Sequence, residues 1–435
     1  MTIRKSLRWL AFISLGLLVL LTITATVALS KSQIELNPSG VHKHMYIPFG
    51  EKKVKLKMFG GSGDEPVLQG FLDGPVVRPL PEGGWSASWF CEDRTHQQQI
   101  NAPQLAIDCG GKRTSFPLAV NDAPGPEVLP MPAKVAVLSD IEGNLAFLDG
   151  ALAKLGVTDS TGAWSYGDGR LVIVGDAVDR GRDVFAVLWR LYSLAQEAQR
   201  AGGGVHMVLG NHEQYILRGN TSRANLEHLY AIDQLGGPVQ AFAPDTVIGR
   251  WLRAQPVILQ MGGVLFTHGG ISKATADSGL SVPQLNQAMR GYWRGENVAT
   301  PALEAVLGRN GLTQYRGYLA QDEGGLATPA EVEQVLKRFR ANTVVVGHTL
   351  VEKVTTLYDG RVIAVDVNTN EAADEALVFE NGQPRVVAVV ERGLPPEAQA
   401  RGRMRPVMLT DARDWQALGR TIVRSYEISR LPHPY

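Results

Sequence analysis

The chain has 435 residues, of which 44% are apolar and 20% are charged, a composition typical of a folded globular protein. This length suggests two or three domains. Lysine plus arginine equals aspartate plus glutamate at 43 each, so the overall charge gives no argument for nucleic acid as a partner, and we expect none. Any preference for an anionic partner therefore has to come from a local site.

The N-terminus carries the first distinct pattern. Arg4, Lys5 and Arg8 precede an uncharged run over residues 9–29, which is about the length that a helix needs to cross the hydrocarbon core of a membrane. Positive charge before the run predicts that the N-terminus stays in the cytoplasm and that the rest of the chain is exported. We expect residues 1–30 to be a cytoplasmic stub and a single-pass anchor in the inner membrane, with the following domains periplasmic or otherwise extracytoplasmic. A signal peptide cleaved at the end of this run, which would leave a secreted protein, is the alternative.

The two cysteines, Cys91 and Cys109, lie in one small region. An exported compartment allows them to form a disulfide, and two unrelated buried thiols are the alternative. A zinc site is not expected, because no Cys-x-x-Cys pair or nearby histidine pair completes four ligands.

Two regions follow the anchor, and they differ in pattern. In residues 31–132, short β-type runs alternate with Gly- and Pro-rich turns, which predicts a small β-rich accessory domain that ends in a linker over 121–132. From 133 to 392, apolar runs alternate with helical segments, which predicts an α/β domain. Residues 393–435 are rich in Arg and Pro and are expected to form a C-terminal extension. The strands expected in the α/β domain cover 135–138, 171–174, 205–209, 264–266, 343–346 and 362–365, and the helices cover 145–155, 183–199 and 329–339.

Polar, potentially metal-binding residues follow five of these strands. The segments are Ser139-Asp-Ile-Glu-Gly-Asn144, Gly175-Asp-Ala-Val-Asp-Arg-Gly181, Gly210-Asn-His-Glu213, Thr267-His-Gly-Gly270 and Gly347-His-Thr349. In α/β sheets, sites form beyond the carboxyl ends of the strands, so these residues can converge in one cleft. Carboxylates, an amide and imidazoles suit Mn²⁺, Zn²⁺ or iron. Two such ions a few ångströms apart can hold both ends of an in-line phosphoryl displacement.

Each segment taken alone has an ordinary structural explanation. A single histidine at a strand end is often packed or hydrogen-bonded, Asp140 or Asn144 can cap a helix, and Asp179 with Arg180 can form a surface ion pair. The joint occurrence of all five segments, in order and each behind an apolar strand, has no such explanation and favours a metal centre.

The five segments resemble the calcineurin-like metallophosphoesterases, and most of all the bacterial-type members of the phosphoprotein phosphatase branch. The resemblance covers residues 133–366, and segments 175–181 and 210–213 are its most specific parts. It implies an α/β fold of two packed sheets flanked by helices. It also implies hydrolysis of phosphate monoesters by a hydroxide bridging two divalent ions, with Mn²⁺ expected first and Zn²⁺ or iron as alternatives.

The resemblance implies a role for each matching residue. The metal ligands are Asp140 and Glu142 at the first ion, Asp176 between the two ions, and Asn211, His268 and His348 at the second. His212 is implied to be the general acid that protonates the leaving oxygen, oriented by Asp179. Arg180 is implied to hold phosphate oxygens. A second arginine is expected between the fourth and fifth segments, where we favour Arg316 and keep Arg294 as the rival.

This chain departs from the family pattern at two positions of the first segment. Glu142 stands where the family has histidine, and Ser139 replaces a glycine. A glutamate still binds divalent ions but adds negative charge, which favours harder ions. We expect an active site with a shifted metal preference; a poorly bound first ion and lost activity are the alternative.

The resemblance favours phosphoserine, phosphothreonine or phosphotyrosine in a peptide as the substrate. A small-molecule phosphatase or a dinucleoside-polyphosphate hydrolase is the alternative enzyme. A membrane-anchored binding protein that has kept the phosphatase fold without its rate is an alternative from another class, and Glu142 is the residue that supports it. The intact set of Asp179, Arg180 and His212 speaks against that alternative.

Overall fold

The computed structural model describes residues 2–59, 61, 66–119, 123–319, 325–367, 374–390 and 402–431. Contacts group the chain into two compact units, Met1–Leu68 with Pro395–Ser429 and Gln69–Leu394 with Arg430–Tyr435. These bounds differ from the predicted domains because a strand of the C-terminal extension pairs with the first strand after the N-terminal helix. The predicted β-rich region is thereby divided between the two units. Residues 393–401 and 432–435 of the predicted extension lie outside the described residues.

The first unit is a small antiparallel sheet with two helices. Helices and strands are numbered along the chain: α1 (Thr2–Ser30), β1 (Gln33–Leu36), β2 (His42–Phe49), β3 (Lys52–Lys57), β20 (Arg403–Pro406) and α12 (Ala412–Ser429). The sheet has the order β20-β1-β2-β3. Inward-facing residues of the sheet pack against one face of α12. This core consists of Ile34, Leu36, Met45, Met58 and Ala417.

Helix α1 is apolar over most of its length. Its segment Phe12–Ser30 has a mean hydropathy of 2.4, and none of it is buried. By length and composition this helix could span a membrane, and a signal sequence has the same properties. The side chains of Arg4, Lys5 and Arg8 lie outside the described part of the chain, so the orientation of the segment stays a prediction.

The second unit begins with five antiparallel strands. They are β4 (Leu72–Pro79), β5 (Trp85–Cys91), β6 (Arg94–Ile100), β7 (Gln104–Cys109) and β8 (Lys112–Pro117). Strands β4, β5 and β6 form one sheet, and β7 with β8 form another. A disulfide between Cys91 and Cys109 joins the ends of β5 and β7, so the two cysteines do pair. Residues 121 and 122 of the expected linker lie outside the described residues.

Two larger mixed sheets follow. The first, in the order β12-β11-β10-β18-β19, contains β10 (Lys134–Leu138), β11 (Arg170–Ile173), β12 (Gly204–Met207), β18 (Glu375–Glu380) and β19 (Gln383–Ala388). The second, in the order β16-β17-β15-β14-β13-β9, contains β9 (Val128–Leu129), β13 (Ile258–Met261), β14 (Val264–Thr267), β15 (Thr343–Val346), β16 (Thr355–Leu357) and β17 (Val362–Ala364). Part of the expected linker is thus an edge strand, because β9 pairs in parallel with β13.

Ten helices of the described chain accompany these sheets. They are α2 (Leu145–Lys154), α3 (Val184–Arg200), α4 (Asn211–Leu217), α5 (Leu226–Gln234), α6 (Pro238–Ala241), α7 (Val247–Ala254), α8 (Lys273–Asp277), α9 (Val282–Trp293), α10 (Thr300–Leu307) and α11 (Pro329–Phe339). Asn144 caps α2 by accepting from the backbone N–H of Phe147 at 3.0 Å. Thr328 and Glu331 form a capping box at the start of α11.

The main core lies between the two mixed sheets. Val137 and Phe379 of the first sheet and Phe266 and Val345 of the second belong to one buried apolar cluster. The rings of Phe266 and Phe379 meet edge to face, with centroids 6.1 Å apart. Apolar runs without alternation suit strands that are covered on both faces. The predicted α/β fold of two packed sheets with flanking helices is confirmed.

We expect Phe379→Ala to destabilise the chain by about 3–5 kcal/mol, because it opens a cavity between the two sheets. Chemical unfolding of the detergent-solubilised chain, followed by tryptophan fluorescence, measures the loss. The matched control is Val386→Ala on the adjacent strand β19, where the side chain is 44% exposed; it should change stability by about 0.5 kcal/mol or less. Equal losses in the two variants would contradict this assignment of the core.

Candidate active site

The predicted site residues stand just beyond the carboxyl ends of the inner strands. Asp140 follows β10, Asp176 follows β11, and α4 begins at Asn211 shortly after β12. In the other sheet, His268 follows β14 and His348 follows β15. Neighbouring parallel strands end at the same edge of a sheet, so the loops after them lie side by side. The structure therefore brings the five predicted segments together.

The loops that carry these residues have unusual backbone conformations. The angle φ is positive at Asp140 (50°), Glu142 (53°), Asp176 (50°), Asp179 (67°), Arg180 (54°) and His348 (65°). Side-chain-bearing residues rarely adopt this region, and each such residue costs of the order of 1 kcal/mol. Conformations of this kind persist where the surroundings enforce them, and they are concentrated at functional sites.

Glu213 ties two of the loops together. Its buried carboxylate accepts hydrogen bonds from the backbone N–H groups of Asp176 at 3.0 Å, Ala177 at 2.8 Å and Gly210 at 2.7 Å. Carboxylate bonds to backbone N–H groups are stronger than bonds between neutral partners. The sequence placed Glu213 within a predicted segment but did not reveal this structural task.

Three ligand atoms of the predicted second metal site form a compact cluster. Asp176, His268 and His348 each offer one atom within 4.8 Å of the others. His268 Nε2 lies 3.0 Å from Asp176 Oδ2 and 3.1 Å from Asn211 Oδ1. Its other ring nitrogen, Nδ1, donates to the carbonyl of Val174 at 2.8 Å, which turns Nε2 toward the cluster. This donor set fits a divalent transition-metal ion.

The electrostatics of the cluster also fit a cation. Burial lowers the pKa of His268, but the carboxylates of Asp176 and Asp140 outweigh burial and raise it to about 10. Burial, together with the charges of His268 and Arg316, holds the pKa of His348 well below its usual range. A ligating imidazole is neutral, so a bound metal ion would take the place of the proton on His268.

The predicted first metal site is built from carboxylates and is less compact. Asp140 Oδ2 accepts from Ser139 Oγ at 2.6 Å and from the backbone N–H of His348 at 3.2 Å. Glu142 Oε1 pairs with Arg180 Nε at 3.0 Å. The ligand cluster of the described residues contains neither Asp140 nor Glu142. The structure thus places both first-site carboxylates next to other site residues, but not within the cluster.

Carboxylates are crowded around this first site. Burial raises the pKa of Asp140 to about 7 and that of Glu142 to about 7, and the charge of Asp176 adds to both effects. Asp366, which is also buried, raises the pKa of Glu142 further. Sequence reasoning missed Asp366, although it directly follows the apolar run 362–365 in the same strand–carboxylate pattern as the other segments. Such crowding is relieved by bound positive charge.

His212 lies beside the ligand cluster with its ring held by a carboxylate. Its Nδ1 is 3.0 Å from Asp179 Oδ2, and its Nε2 is 3.7 Å from Asp176 Oδ2. Burial lowers the pKa of His212, but Asp176 and Asp179 outweigh burial and raise it to about 9. These two carboxylates therefore favour the imidazolium, which is the form that can donate a proton.

The structure separates the two candidate arginines between the fourth and fifth segments. Arg316 Nη1 donates to the carbonyl of His348 at 2.6 Å and to Thr349 Oγ1 at 3.3 Å, so Arg316 lies next to a metal-ligand candidate. Arg294 instead pairs with Glu296 on an exposed surface, where Nη2 and Oε2 are 3.0 Å apart. The geometry thus favours Arg316.

The β-rich part of the second unit supports the loop that carries Arg180. The backbone N–H of Arg180 donates to the carbonyl of Arg223 at 3.2 Å, and Asn225 Nδ2 donates to the Arg180 carbonyl at 3.2 Å. Asn225 caps α5, and His228 of that helix forms a buried pair with Asp73 of β4, with Nδ1 and Oδ2 2.8 Å apart. Strand β4 therefore supports the loop through α5.

The chain is similar to several known phosphoesterases. The family profile described as calcineurin-like phosphoesterase matches residues 133–352. The crystal structure of a cold-active protein-tyrosine phosphatase from a psychrophilic Shewanella species has a TM-score of 0.67 and 33% sequence identity, over 73% of this chain and 97% of that chain. Shewanella-like protein phosphatase 2 of Arabidopsis thaliana is 23% identical over 291 residues, or 57% of this chain and 74% of the relative. A symmetrical bis(5'-nucleosyl)-tetraphosphatase of Neisseria gonorrhoeae is 29% identical over 134 residues, or 31% of this chain and 42% of the relative.

Replacing Asp179 by Asn should lower the pKa of His212. The negative charge of Asp179 stabilises the imidazolium, so its removal favours the neutral ring, and we expect a fall of about 1 or more from the present value of about 9. Proton NMR titration of the chelator-treated protein measures the pKa of His212. Asp359→Asn, whose side chain is 98% exposed, serves as the control and should leave the titration unchanged. An unchanged titration in Asp179→Asn would contradict the proposed pairing.

Proposed function

Because the chain belongs to the calcineurin-like phosphoesterase family and resembles its phosphoprotein phosphatase branch, we propose that it is a metal-dependent phosphatase that hydrolyses phosphate monoesters. The observation that carries the proposal is the position of His212. Its ring is paired with Asp179 and stands 3.7 Å from Asp176 of the ligand cluster, so an acid and a metal site face the same space.

Two groups of residues would hold the ions. Asp140, Glu142 and Asp176 would bind the first ion, and the second would be bound by Asp176, Asn211, His268 and His348. Two divalent ions, when bound, activate water and neutralise the charge of the transferring phosphoryl group. With Glu142 in place of a histidine, the first site offers oxygen donors alone, which favours Mn²⁺ or Mg²⁺ over Zn²⁺ there.

The side chains of this chain supply the remaining steps. His212 donates its proton to the leaving oxygen as the ester bond breaks, and Asp179 keeps the imidazole in position and stabilises its charged form. Arg180 and Arg316 bind the equatorial oxygens of the phosphoryl group. Arg180 is suited to this task because its side chain is 58% exposed and lies at the site through its pair with Glu142.

The relatives support a proposal for the substrate class. A similar solved structure is a protein-tyrosine phosphatase and a similar curated protein is a Shewanella-like protein phosphatase, which favours a phosphorylated peptide or protein. The second candidate is a dinucleoside polyphosphate, because part of the chain is similar to symmetrical bis(5'-nucleosyl)-tetraphosphatases. We further propose that α1 anchors the phosphatase in the inner membrane with its site on the periplasmic side, since its apolar length is sufficient.

Release of phosphate from p-nitrophenyl phosphate tests the activity of the full chain in detergent. We expect turnover with Mn²⁺ and loss of turnover with a chelator. In His212→Ala, which lacks the general acid, we expect a fall of about 100- to 10,000-fold on a phosphoserine peptide and a smaller fall on p-nitrophenyl phosphate, because p-nitrophenolate leaves without a proton. His206→Ala, at a histidine of β12 outside the site, is the matched control and should keep its rate.

A tyrosine-phosphorylated peptide and diadenosine tetraphosphate, compared at equal concentration, separate the two substrate classes. We expect phosphate release from the peptide to be faster than ADP release from diadenosine tetraphosphate, because symmetrical cleavage of the dinucleotide yields two ADP and no phosphate. Silence with every metal and every substrate would overturn the phosphatase proposal and favour a binding protein on the same fold.

A further inference from the structure

We propose that the exposed apolar face of α12 docks on the anionic surface of the bilayer that α1 is proposed to cross. This face, the α12 stripe, consists of Trp415, Ile422 and Tyr426. Both helices belong to the first unit, and the docking depends on α1 being the anchor proposed above, not on the chemistry of the active site. The C-terminal helix would hold that unit against the membrane.

Helix α12 lies at the point where the chain leaves α1. Leu29, in the last turn of α1, packs against the same apolar cluster as Ala417 and Leu418 of α12. Two residues after α1, the carbonyl of Ser32 accepts a hydrogen bond from the backbone N–H of Val407 at 3.0 Å. The short segment between β20 and α12 is therefore bonded to the exit of the apolar helix. If α1 spans the membrane, the start of α12 lies at its surface.

The α12 stripe is distinct from the face that packs on the sheet. Asp414, Ala417 and Thr421 are buried, and their spacing of three and four places them on one side of the helix. The stripe residues are spaced by seven and four, which places them together on another side. Trp415, Ile422 and Tyr426 are 47%, 60% and 60% exposed, so the helix presents one apolar face to its own core and leaves a second apolar face uncovered.

The chemistry of the stripe suits the boundary between headgroups and acyl chains. Tryptophan and tyrosine are enriched at this depth, where an apolar ring and a polar atom are both accommodated. The indole N–H of Trp415 already donates to the carbonyl of Leu409 at 2.8 Å, so burying the ring in lipid leaves no donor unsatisfied. Met408, close to the exit of α1, adds a further exposed apolar side chain.

The charge of the first unit favours an anionic bilayer as the partner of the stripe. Helix α12 carries Arg413, Arg420 and Arg424, of which Arg413 pairs with Asp411 just before the helix. Glu427 is its one exposed acidic residue, because Asp414 is buried against Arg405. The edge strand β3 adds four lysines, at 52, 53, 55 and 57. Arg420 and Arg424 lie roughly 160° from Ile422, on the polar side of the helix, as in helices that lie at a membrane surface with their apolar face in the lipid. Anionic headgroups offer the opposite charge to a basic segment next to a membrane span.

An environment-sensitive label on the full chain tests the proposal. Cys91 and Cys109 are joined in a disulfide, so a cysteine introduced by Ile422→Cys is the single reactive thiol. The chain carrying a nitrobenzoxadiazole label there is reconstituted in vesicles of phosphatidylcholine and phosphatidylglycerol. We expect a blue-shifted emission that lipids with a spin label on the acyl chain quench, and weaker quenching in vesicles of phosphatidylcholine alone.

Glu427→Cys provides the matched control on the same helix, because five residues turn a helix by about 500°, which places it roughly 140° from Ile422. The label at this position should stay water-exposed and be quenched by iodide. Equal water exposure at both positions would overturn the proposal. A label at position 422 that neither the lipid nor iodide quenches, in a chain that can be cross-linked as a dimer, would also overturn the proposal. A chain that does not float with the vesicles would overturn it as well. Phosphate release, measured on the same samples, reports on the active site separately.

Discussion

The buried carboxylate of Asp176 is the constraint on which the rest of the site depends. Burial raises the pKa of Asp176, but His268 and His212 outweigh burial and hold it below its usual range. Its two oxygens are shared, since Oδ1 accepts from the backbone N–H of His212 at 2.9 Å and Oδ2 faces His268 at 3.0 Å. A negative charge this deep needs positive partners from every side. The loops of both sheets therefore meet around it, and Glu213 fixes the backbone that presents it.

Much of the catalytic fold was predictable because its strands are continuous apolar runs. Such runs are typical of strands that are buried on both faces, so each strand can be predicted without knowing which strands it pairs with. The expected strand over 135–138 and helix over 145–155 correspond to β10 and α2. The sequence did not reveal that β20 pairs with β1 across most of the chain, since pairing between distant strands leaves no local signal. For the same reason the edge strand β9 was expected to be part of a linker.

The sequence predicts which residues the candidate site brings together, but not the contacts that they make. Strand ends followed by Asp, Asn or His placed the ligand candidates, because the topology brings such ends to one edge. The pair between Glu142 and Arg180 could not be predicted, because it joins two loops that are distant in sequence. That pair links a departure from the family pattern to the arginine proposed to bind phosphate. The support that Asp73 gives to the Arg180 loop could not be predicted either, because it also joins parts of the chain that are distant in sequence.

Metal content, measured by mass spectrometry on the purified full chain after dialysis with Mn²⁺, tests the central claim most directly. The two-metal account predicts about two ions per chain, and loss of both in Asp176→Asn, because this carboxylate would bridge them. Asp359→Asn, an exposed carboxylate away from the ligand cluster, should retain both ions. About one ion per chain without any turnover would contradict the account. It would mean that Glu142 does not hold a first ion.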